Sequence, residues 1–193
     1  MSLAALVDGG RWTNDPVAAE FDGDVLRVTA VEGSDAWRTT SYGFVHDSEH
    51  ALLRPTDGPF SVEVSFVLDY TEQFDQAGVF LRVDDRNWIK AGVEFADGTP
   101  QVGAVVTRDW SDWSVAPVAE WTGRTVTVRA SRDGDAVTIR AWADDEPPRL
   151  VRVAYLDPGA DVSAGLLCAA PSRAGLTVTF TGFRLGEPDG SLH

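Results

Sequence analysis

Short segments in which apolar and polar residues alternate follow one another along almost the whole chain. Examples are "DVLRVTAV", "FSVEVSFVLDY", "RTVTVRAS" and "AVTIRAWA", and turn sequences such as "PTDGP", "ADGT" and "RDGD" separate them. A period of two is typical of strands with one buried face, and many short strands joined by Gly, Asp and Pro turns are typical of a β-sandwich or barrel. The pattern predicts an all-β chain. No linker or internal repeat divides it, so we expect one domain over residues 1–193.

The charge of the chain argues against two classes of partner. The formal net charge is −14 and no run of basic residues is present. Nucleic acids and anionic lipids both require clustered Lys and Arg, so we expect neither nucleic-acid nor membrane binding. No segment approaches the roughly 20 apolar residues of a membrane-spanning helix. The start "MSLAALVDGG" lacks the features of a signal peptide, so we expect a cytoplasmic location.

Three consecutive segments, "QAGVFLRV", "NWIKAGVEF" and "QVGAVVTR", each combine an apolar face with a mixed face. The apolar faces must align, because a slip by one residue would turn core side chains outward. Asp97-Gly98 is typical of a two-residue type I′ hairpin turn. The predicted pairs on the mixed face are Glu94 with Gln101, Gly92 with Gly103, Lys90 with Val105, Trp88 with Thr107, Gln76 with Glu94, Gly78 with Gly92, Phe80 with Lys90 and Arg82 with Trp88. A slip by two residues stays open in the first hairpin.

This register predicts a row of three glycines, Gly78, Gly92 and Gly103, across adjacent strands. Glycine has no side chain to pack, so the row would form the floor of a shallow groove. Lys90, the only lysine in the chain, faces this groove diagonally from Glu94. A bare floor with an aromatic wall and convergent polar groups is typical of a ligand site. Two alternatives stay open: the glycines mark bulges or close packing, and Lys90 and Glu94 form a solvated ion pair.

Metal binding and nucleophilic catalysis find little support. His46 and His50 in "FVHDSEH" are four residues apart, but the segment is predicted as a loop, and the third histidine, His193, is terminal. The single cysteine, Cys168, lies in the apolar run "SAGLLCAAP" and is predicted to be buried and inert. We therefore expect no metal and no cofactor. Both ends, including "EPDGSLH", are expected to be loosely held.

The longest motifs resemble a known family. "DQAGVFLRVDDRNWIKAGVEF" and "VVTRDWSDWS", with "DAWRTTSYGF" upstream and "CAAP" downstream, resemble an uncharacterised bacterial and fungal family with a fungal member linked to regulation of enolase. The resemblance extends from Trp12 to Leu185. The family is similar to the concanavalin A-like lectin/glucanase superfamily. This similarity implies a jelly-roll β-sandwich of two antiparallel sheets, whose concave sheet holds the ligand groove in relatives.

Taken together, the groove and the resemblance predict a site for a carbohydrate-like ligand on the concave sheet. Its predicted floor is the glycine row, and its predicted rim includes an "SDWS" loop. The predicted ligand-binding residues are Trp37, Arg38, Gln76, Trp88, Lys90, Glu94, Thr107, Asp112 and Trp113. Because Lys90, Arg38 and Arg82 are basic, an anionic sugar is a further hypothesis.

Two other functions stay open. The first is a protein-interaction module that regulates a metabolic enzyme, as the resemblance to the enolase-linked family implies. The second is a glycoside hydrolase-like enzyme that uses Glu94. Hydrolysis normally requires two carboxylates, and the clustered acidic motif of the superfamily's hydrolases is absent, so we favour a binding protein over an enzyme. A second carboxylate near Glu94 would favour the enzyme.

Overall fold

The computed structural model describes residues 1–190. Nearly all of its regular structure is strand, as the alternating segments predict. In chain order the elements are α1 (Leu3–Gly9), β1 (Arg11–Trp12), β2 (Ala18–Phe21), β3 (Leu26–Thr29), β4 (Ala36–Arg38), β5 (Val45–Asp47), β6 (His50–Thr56), β7 (Phe60–Val67), β8 (Gln76–Arg82), β9 (Asn87–Ala96), β10 (Thr99–Arg108), β11 (Trp110–Pro117), a 3₁₀ helix (Ala119–Trp121), β12 (Thr125–Asp133), β13 (Ala136–Ala143), β14 (Arg149–Tyr155), β15 (Val162–Ala169) and β16 (Thr177–Gly186).

The strands form two seven-stranded antiparallel sheets and a separate hairpin. The front sheet has the order β1-β6-β15-β8-β9-β10-β11, and the back sheet has the order β14-β13-β12-β7-β16-β3-β2. Strands β4 and β5 pair only with each other, in a hairpin that we call the β4–β5 hairpin. The prediction of a two-sheet antiparallel sandwich is confirmed.

The main core lies between the inner faces of the two sheets. Phe66 and Phe180 meet there edge to face, with ring centroids 6.4 Å apart, and Trp121 is completely buried in the same core. Cys168 also belongs to it, and burial raises the pKa of its thiol far above its usual value. Apolar residues at every second position of each strand supply this layer, which is the physical origin of the alternation in the sequence.

The predicted register of the three central strands is confirmed. Gln76 pairs with Glu94 across β8 and β9, and Glu94 pairs with Gln101 across β9 and β10. Asp97 and Gly98 have φ values of 54° and 79°, as a type I′ turn requires. The slip by two residues in the first hairpin does not occur.

The glycine row results from the close approach of the backbones. A Cβ atom on Gly78 would lie 2.0 Å from the carbonyl oxygen of Ala91, and one on Gly92 would lie 2.0 Å from that of Ala77. A Cβ atom on Gly103 would similarly lie 2.1 Å from a backbone oxygen of β11. Side chains are therefore excluded by the geometry of the sheet itself, so the close-packing alternative accounts for the glycines.

A second, smaller apolar cluster covers part of the outer face of the front sheet. Phe80, Trp88 and Val105 project outward from the sheet and pack with Trp37 of the β4–β5 hairpin. This cluster attaches the hairpin to the sheet. The remaining space between hairpin and sheet forms a cavity.

The ends of the chain are fixed more firmly than the sequence predicts. Residues 3–9 form α1, whose Leu3 and Leu6 are buried in the main core. Near the other end, the backbone N–H of Asp189 donates to Ser131 Oγ at 2.8 Å. The expectation of loose ends is therefore wrong for these residues, while residues 191–193, including His193, lie outside the described part. No helix within residues 1–190 is long and apolar enough to span a bilayer.

Candidate functional site

A cavity of about 400 Å³ lies between the β4–β5 hairpin and the outer face of the front sheet. Its wall combines apolar and polar side chains from separate parts of the chain. The lining residues are Gly33, Asp35, Trp37, Tyr42, Phe44, His46, Phe74, Gln76, Lys90, Glu94, Val105, Trp113, Pro171 and Ser172.

The floor of the cavity is a triangle of hydrogen bonds among Asp35, Gln76 and Lys90. Lys90 Nζ donates to Gln76 Oε1 at 2.7 Å and to Asp35 Oδ1 at 3.2 Å, and Gln76 Nε2 donates to the same Asp35 oxygen at 3.2 Å. Gln76 and Lys90 are buried, and Asp35 is 19% exposed. An ammonium group has three donors, so one N–H of Lys90 has no acceptor among the described residues.

The two carboxylate oxygens of Asp35 have different environments. Oδ1 also accepts a hydrogen bond from the backbone N–H of Ala36 at 2.7 Å. Oδ2 has no hydrogen-bond partner among the described residues. Ser48 holds the segment in place, because its Oγ accepts from the Asp35 backbone N–H at 3.1 Å. The carboxylate is therefore held rigidly, with one oxygen free for a donor from a ligand.

Glu94 faces the same cavity without a hydrogen-bond partner in residues 1–190. Burial raises the pKa of its carboxyl to about 7; Lys90 lowers this pKa and Asp35 raises it. A partly buried carboxyl without a partner is costly, and a donor from a ligand would remove that cost. Near neutral pH the group can donate or accept a proton.

Aromatic side chains form the wall on the side of the hairpin. Trp37 meets Trp113 of β11 edge to face, with ring centroids 6.3 Å apart, and meets Tyr42 at 5.6 Å. Phe44 lies beside Tyr42 at 5.3 Å and contacts His46 edge to face at 4.7 Å. The wall is therefore a continuous aromatic surface that faces the polar floor.

The opposite side of the cavity is held by an ion pair between buried Asp75 and partly exposed Arg173. Asp75 is fully buried, and its Oδ2 accepts from Arg173 at 2.9 Å (Nε) and 2.6 Å (Nη2). Arg173 follows directly on Pro171 and Ser172, which line the cavity. Asp75 itself follows Phe74, a lining residue with a left-handed φ of 67° that is strained for a bulky side chain. Asp75 therefore holds two lining segments in position, Phe74 on one side and Pro171 and Ser172 on the other, and does not itself line the cavity.

The structure brings five of the nine predicted ligand-binding residues to the cavity. Trp37, Gln76, Lys90, Glu94 and Trp113 all line it. Gly92 and Gly103 line a narrow crevice next to it, together with Gln76 and Glu94. Gly78 belongs to the same face of the sheet but lines neither space.

The other four predicted residues have other contacts. Thr107 and Ser111 share a hydrogen bond of 2.8 Å, and Ser111 Oγ accepts from the Arg38 backbone N–H at 2.9 Å, which attaches the hairpin to the sheet. Trp88 is buried against Phe80 in the small cluster, with ring centroids 5.5 Å apart. These residues attach the hairpin to the sheet or pack in the small cluster, and they do not line the cavity.

Asp112 shows most clearly why the prediction for the rim is wrong. The "SDWS" segment is not a loop but part of β11, so consecutive side chains point to opposite faces. Trp113 faces the cavity, whereas Asp112 points away from it, is 72% exposed and pairs with Arg152 at 3.3 Å. Asp112 therefore cannot contribute to a ligand site on this face.

The hypothesis of an anionic ligand loses its support in the structure. Lys90 pairs with Asp35, and Arg38 Nη1 pairs with Asp47 at 2.8 Å. Arg82 likewise pairs with Asp85. Each cation already has a carboxylate partner, so none adds uncompensated positive charge to the cavity.

Sequence reasoning misses most of the residues that the hairpin contributes, above all Asp35, Tyr42 and Phe44. They lie in "DAWRTTSYGF", a segment that carries part of the family resemblance and is the one signal that could have pointed to them. His46, which the sequence suggests only as a metal ligand, lines the cavity. His50 is buried; its Nε2 accepts from the Val31 backbone N–H at 3.0 Å, and its Nδ1 donates to a backbone carbonyl. Within residues 1–190, no group of three potential ligands could hold a metal ion.

Two antiparallel sheets packed face to face form a β-sandwich, and likeness to solved structures identifies its fold as a concanavalin A-like jelly roll. Lectin I-B4 from Griffonia simplicifolia, in its metal-free form, has a TM-score of 0.60 at 16% identity, over 96% of this chain and 98% of the lectin. Xylan beta-1,4-xylosidase from Bacillus halodurans has a TM-score of 0.67 at 16% identity, over 84% of this chain and 33% of the xylosidase. At such identities the likeness concerns the fold alone.

The chain belongs to the family described as protein of unknown function DUF1349, whose model matches residues 12–188. It is 34% identical over 185 residues to Regulation of enolase protein 1 from Saccharomyces cerevisiae, which covers 95% of this chain and 93% of that protein. A crystal structure of a functionally unknown protein from Saccharomyces cerevisiae has a TM-score of 0.89 at 33% identity, over 95% of this chain and 99% of that chain. The family resemblance drawn from the motifs is therefore confirmed.

Proposed function

We propose that the cavity binds a neutral saccharide. The observation that carries the proposal is the carboxyl group of Glu94, which faces an aromatic-walled cavity without a partner among the described residues. A sugar hydroxyl would supply the missing donor, and Asp35 Oδ2 and the third N–H of Lys90 offer further bonds. The faces of Trp37 and Trp113 suit the apolar side of a sugar ring.

The shape of the site favours a small ligand over a flat protein surface. Small-molecule sites are cavities of about 300–1,000 Å³ with mainly apolar walls and a few placed polar groups. The cavity of about 400 Å³ falls in this range. The lectin and the xylosidase of similar fold are named for sugar-related properties of their own, and their likeness to this chain lends support only at the level of the fold.

A thermal-unfolding screen tests the proposal directly. The purified protein would be heated with neutral mono- and oligosaccharides, sugar acids and sugar phosphates, each alongside the variants Lys90→Met and Glu94→Gln. A saccharide at 100 times its dissociation constant stabilises the protein by about 2.7 kcal/mol, which raises the melting temperature by roughly 5–10 °C in a chain of this size. We expect a shift with neutral sugars that both variants reduce.

The control variant is Glu63→Gln, on the outer face of the back sheet. Glu63 lies away from the cavity and pairs with Arg129 at 3.3 Å. Its loss should leave the sugar-dependent shift unchanged. No shift with any sugar in a folded protein, or a shift equally reduced in Glu63→Gln, would overturn the proposal. A shift confined to acids and phosphates would restore the anionic hypothesis.

Hydrolysis of a glycosidic bond is a further reaction that the same site could support. This reaction normally requires a second carboxylate near Glu94, and Asp35 supplies one in the same cavity. Their environments differ, since Asp35 bonds to an ammonium group while burial raises the pKa of Glu94 to about 7. A carboxyl with a pKa of about 7, such as Glu94, matches the acid of a glycosidase, and Asp35 would be the second carboxyl group that the reaction requires. Release of nitrophenol from 4-nitrophenyl glycosides by the wild type, and its loss in Asp35→Asn, would be the expected signs of turnover.

Regulation of a metabolic enzyme is a second candidate because the yeast relative carries that name. Strand β14 ends the back sheet and exposes Leu150, Val153 and Tyr155, an apolar surface suited to a protein partner. The test is binding of purified enolase by the wild type and by Leu150→Ser. Binding that Leu150→Ser weakens would support this candidate, and its absence at micromolar concentrations would contradict it.

A further inference from the structure

The tip of the β4–β5 hairpin carries two aromatic rings that extend beyond the polar floor. Tyr42 is 56% exposed and Phe44 is 42% exposed. Their ring planes differ by 14° and their centroids are 5.3 Å apart. Both rings line the cavity, and Tyr42 contacts Trp37 deeper inside. The aromatic wall therefore continues without a break from the cavity floor to solvent.

The tip is held by its own backbone rather than by a covering element. Thr39 and Ser41 have left-handed φ values of 63° and 66°, which are unfavourable for these residues. Short backbone hydrogen bonds hold this conformation: Thr39 N–H donates to the Phe44 carbonyl, and Gly43 N–H donates to the Thr39 carbonyl, both at 2.7 Å. Strained backbone that is maintained in this way often marks a functional site. The two rings are thus in position before any ligand arrives, which lowers the entropic cost of binding.

We infer that Tyr42 and Phe44 form an outer subsite for a further sugar ring, so that the ligand is an oligosaccharide rather than a monosaccharide. The inference rests on the proposed binding of a saccharide in the cavity. A cavity of about 400 Å³ is near the lower end of the range for small-molecule sites, so a longer ligand has to extend past the hairpin tip. In this arrangement the first sugar ring contacts Lys90 and Glu94, and the next sugar ring stacks on Tyr42 and Phe44 at the hairpin tip.

The other exposed apolar side chains do not combine these features. Tyr155 is exposed to a similar extent, 49%, but lies on β14 of the back sheet with Arg108 over its ring. Of the exposed large apolar residues in the described part of the chain, only Tyr42 and Phe44 line the cavity that also contains Glu94. Tyr155 is therefore a matched control for the loss of an exposed tyrosine.

The experiment measures affinity against chain length. Titration calorimetry would compare xylose, xylobiose, xylotriose and xylotetraose, and the corresponding glucose and mannose series, in the wild type and in Tyr42→Ala, Phe44→Ala and Tyr155→Ala. One aromatic contact is worth roughly 0.5–1.5 kcal/mol, so the second or third ring should raise the affinity about two- to tenfold in the wild type. Tyr42→Ala and Phe44→Ala should abolish this gain, while Tyr155→Ala should keep it.

The outcomes separate the outer subsite from saccharide binding itself. If sugars bind but their affinity is independent of chain length, or if Tyr42→Ala behaves like Tyr155→Ala, the outer subsite is overturned and the cavity remains a sugar site. If no member of any series binds the folded wild type, both proposals fail. Because Tyr42 and Phe44 are exposed, the variants should keep the melting temperature of the wild type, which verifies that they are folded.

Discussion

The outer faces of the two sheets differ in how fully their charged side chains are paired within the protein. On the back sheet, Arg129 lies between two carboxylates, bonding Asp189 at 2.8 Å and Glu63 at 3.3 Å. Asp189 also receives a bond from Arg140 at 2.6 Å. On the front sheet, Lys90 satisfies only one oxygen of Asp35, and Glu94 has no partner among residues 1–190. These charged groups of the back face bond to one another. On the front face, Asp35 and Glu94 keep acceptor oxygens without a partner among the described residues, and both side chains line a cavity.

This difference identifies which polar cluster suits a ligand. Glu94 and the Oδ2 atom of Asp35 have no donor among the described residues, and both side chains line the cavity, where donors of a ligand could reach them. The front face also differs because the β4–β5 hairpin covers part of it and excludes water there. The contrast between the faces can be tested by mutation, beginning with the largest expected effect.

The packing of the β4–β5 hairpin on the front sheet should depend mainly on Trp37. This residue is 8% exposed and belongs to the small apolar cluster. Trp37→Ala should lower the free energy of unfolding by about 3–5 kcal/mol, since it removes a large buried side chain. Trp110→Ala is the control: Trp110 is 61% exposed, and its loss should change stability by only about 0.5 kcal/mol. Urea unfolding measures both. Equal effects would mean that the hairpin does not depend on this cluster.

The buried triangle on the floor should depend on Lys90. Lys90→Met leaves the buried Gln76 Oε1 without its donor and removes one of the three donors to Asp35 Oδ1. This loss should cost about 1–3 kcal/mol of unfolding free energy. On the back sheet, Arg27 pairs with Asp22 at 2.8 Å in a solvent-exposed position. Arg27→Met should therefore have no measurable effect, because exposed ion pairs contribute little. If Arg27→Met lowered the free energy of unfolding more than Lys90→Met did, the proposed difference between the two faces would be wrong.

The pH dependence of stability should report on Glu94. Its pKa is raised from 4.5 to about 7 in the folded protein, so the folded state binds a proton more tightly than the unfolded chain. The resulting stability is complete below pH 4.5 and is lost as the pH rises to about 7. Partial exposure reduces the loss to about 1–2 kcal/mol. Glu49, just before β6, has a pKa that burial also raises to about 7 and should add a similar loss.

Glu94→Gln separates the two contributions. The variant should lose its part of the decline between pH 4.5 and about pH 7 and keep the part due to Glu49. At the upper end of this range it should be more stable than the wild type. Glu63→Gln, on the back face, should keep the whole decline. Unfolding in urea at several pH values measures the slope, and an unchanged slope in Glu94→Gln would contradict the environment described for this carboxyl.

The smallest effect is expected at Asp112, which points away from the cavity. Asp112→Ala removes an exposed contact with Arg152 and should change neither stability nor ligand affinity measurably. Trp113→Ala, one residue further along β11, should weaken sugar binding. Asp112 and Trp113 lie on opposite faces of β11. If Asp112→Ala weakened sugar binding as much as Trp113→Ala, the position of a side chain on one face or the other would not explain which residue contacts the sugar.

Sequence reasoning succeeds where neighbouring strands are neighbours in the chain. The alternation of β8, β9 and β10 and the turn at Asp97-Gly98 predict the register correctly, so the sequence places Gln76, Lys90 and Glu94 on one face. The same reasoning fails at "SDWS", because a short polar segment beside two tryptophans is as typical of a loop as of an edge strand. The prediction of Asp112 at the site is wrong for this reason.

The chain by itself determined the two-sheet fold and the central strip of polar residues, because strand period and hairpin turns are local properties that depend on residues close in sequence. Only the tertiary structure decided which groups meet that strip. Asp35 lies 55 residues from Lys90, and the strands of its hairpin are three residues long, too short for a periodic signal. Their position depends on packing of Trp37 against the outer face and on the bond from Arg38 to Ser111. Such long-range contacts follow from the complete fold and not from any local pattern.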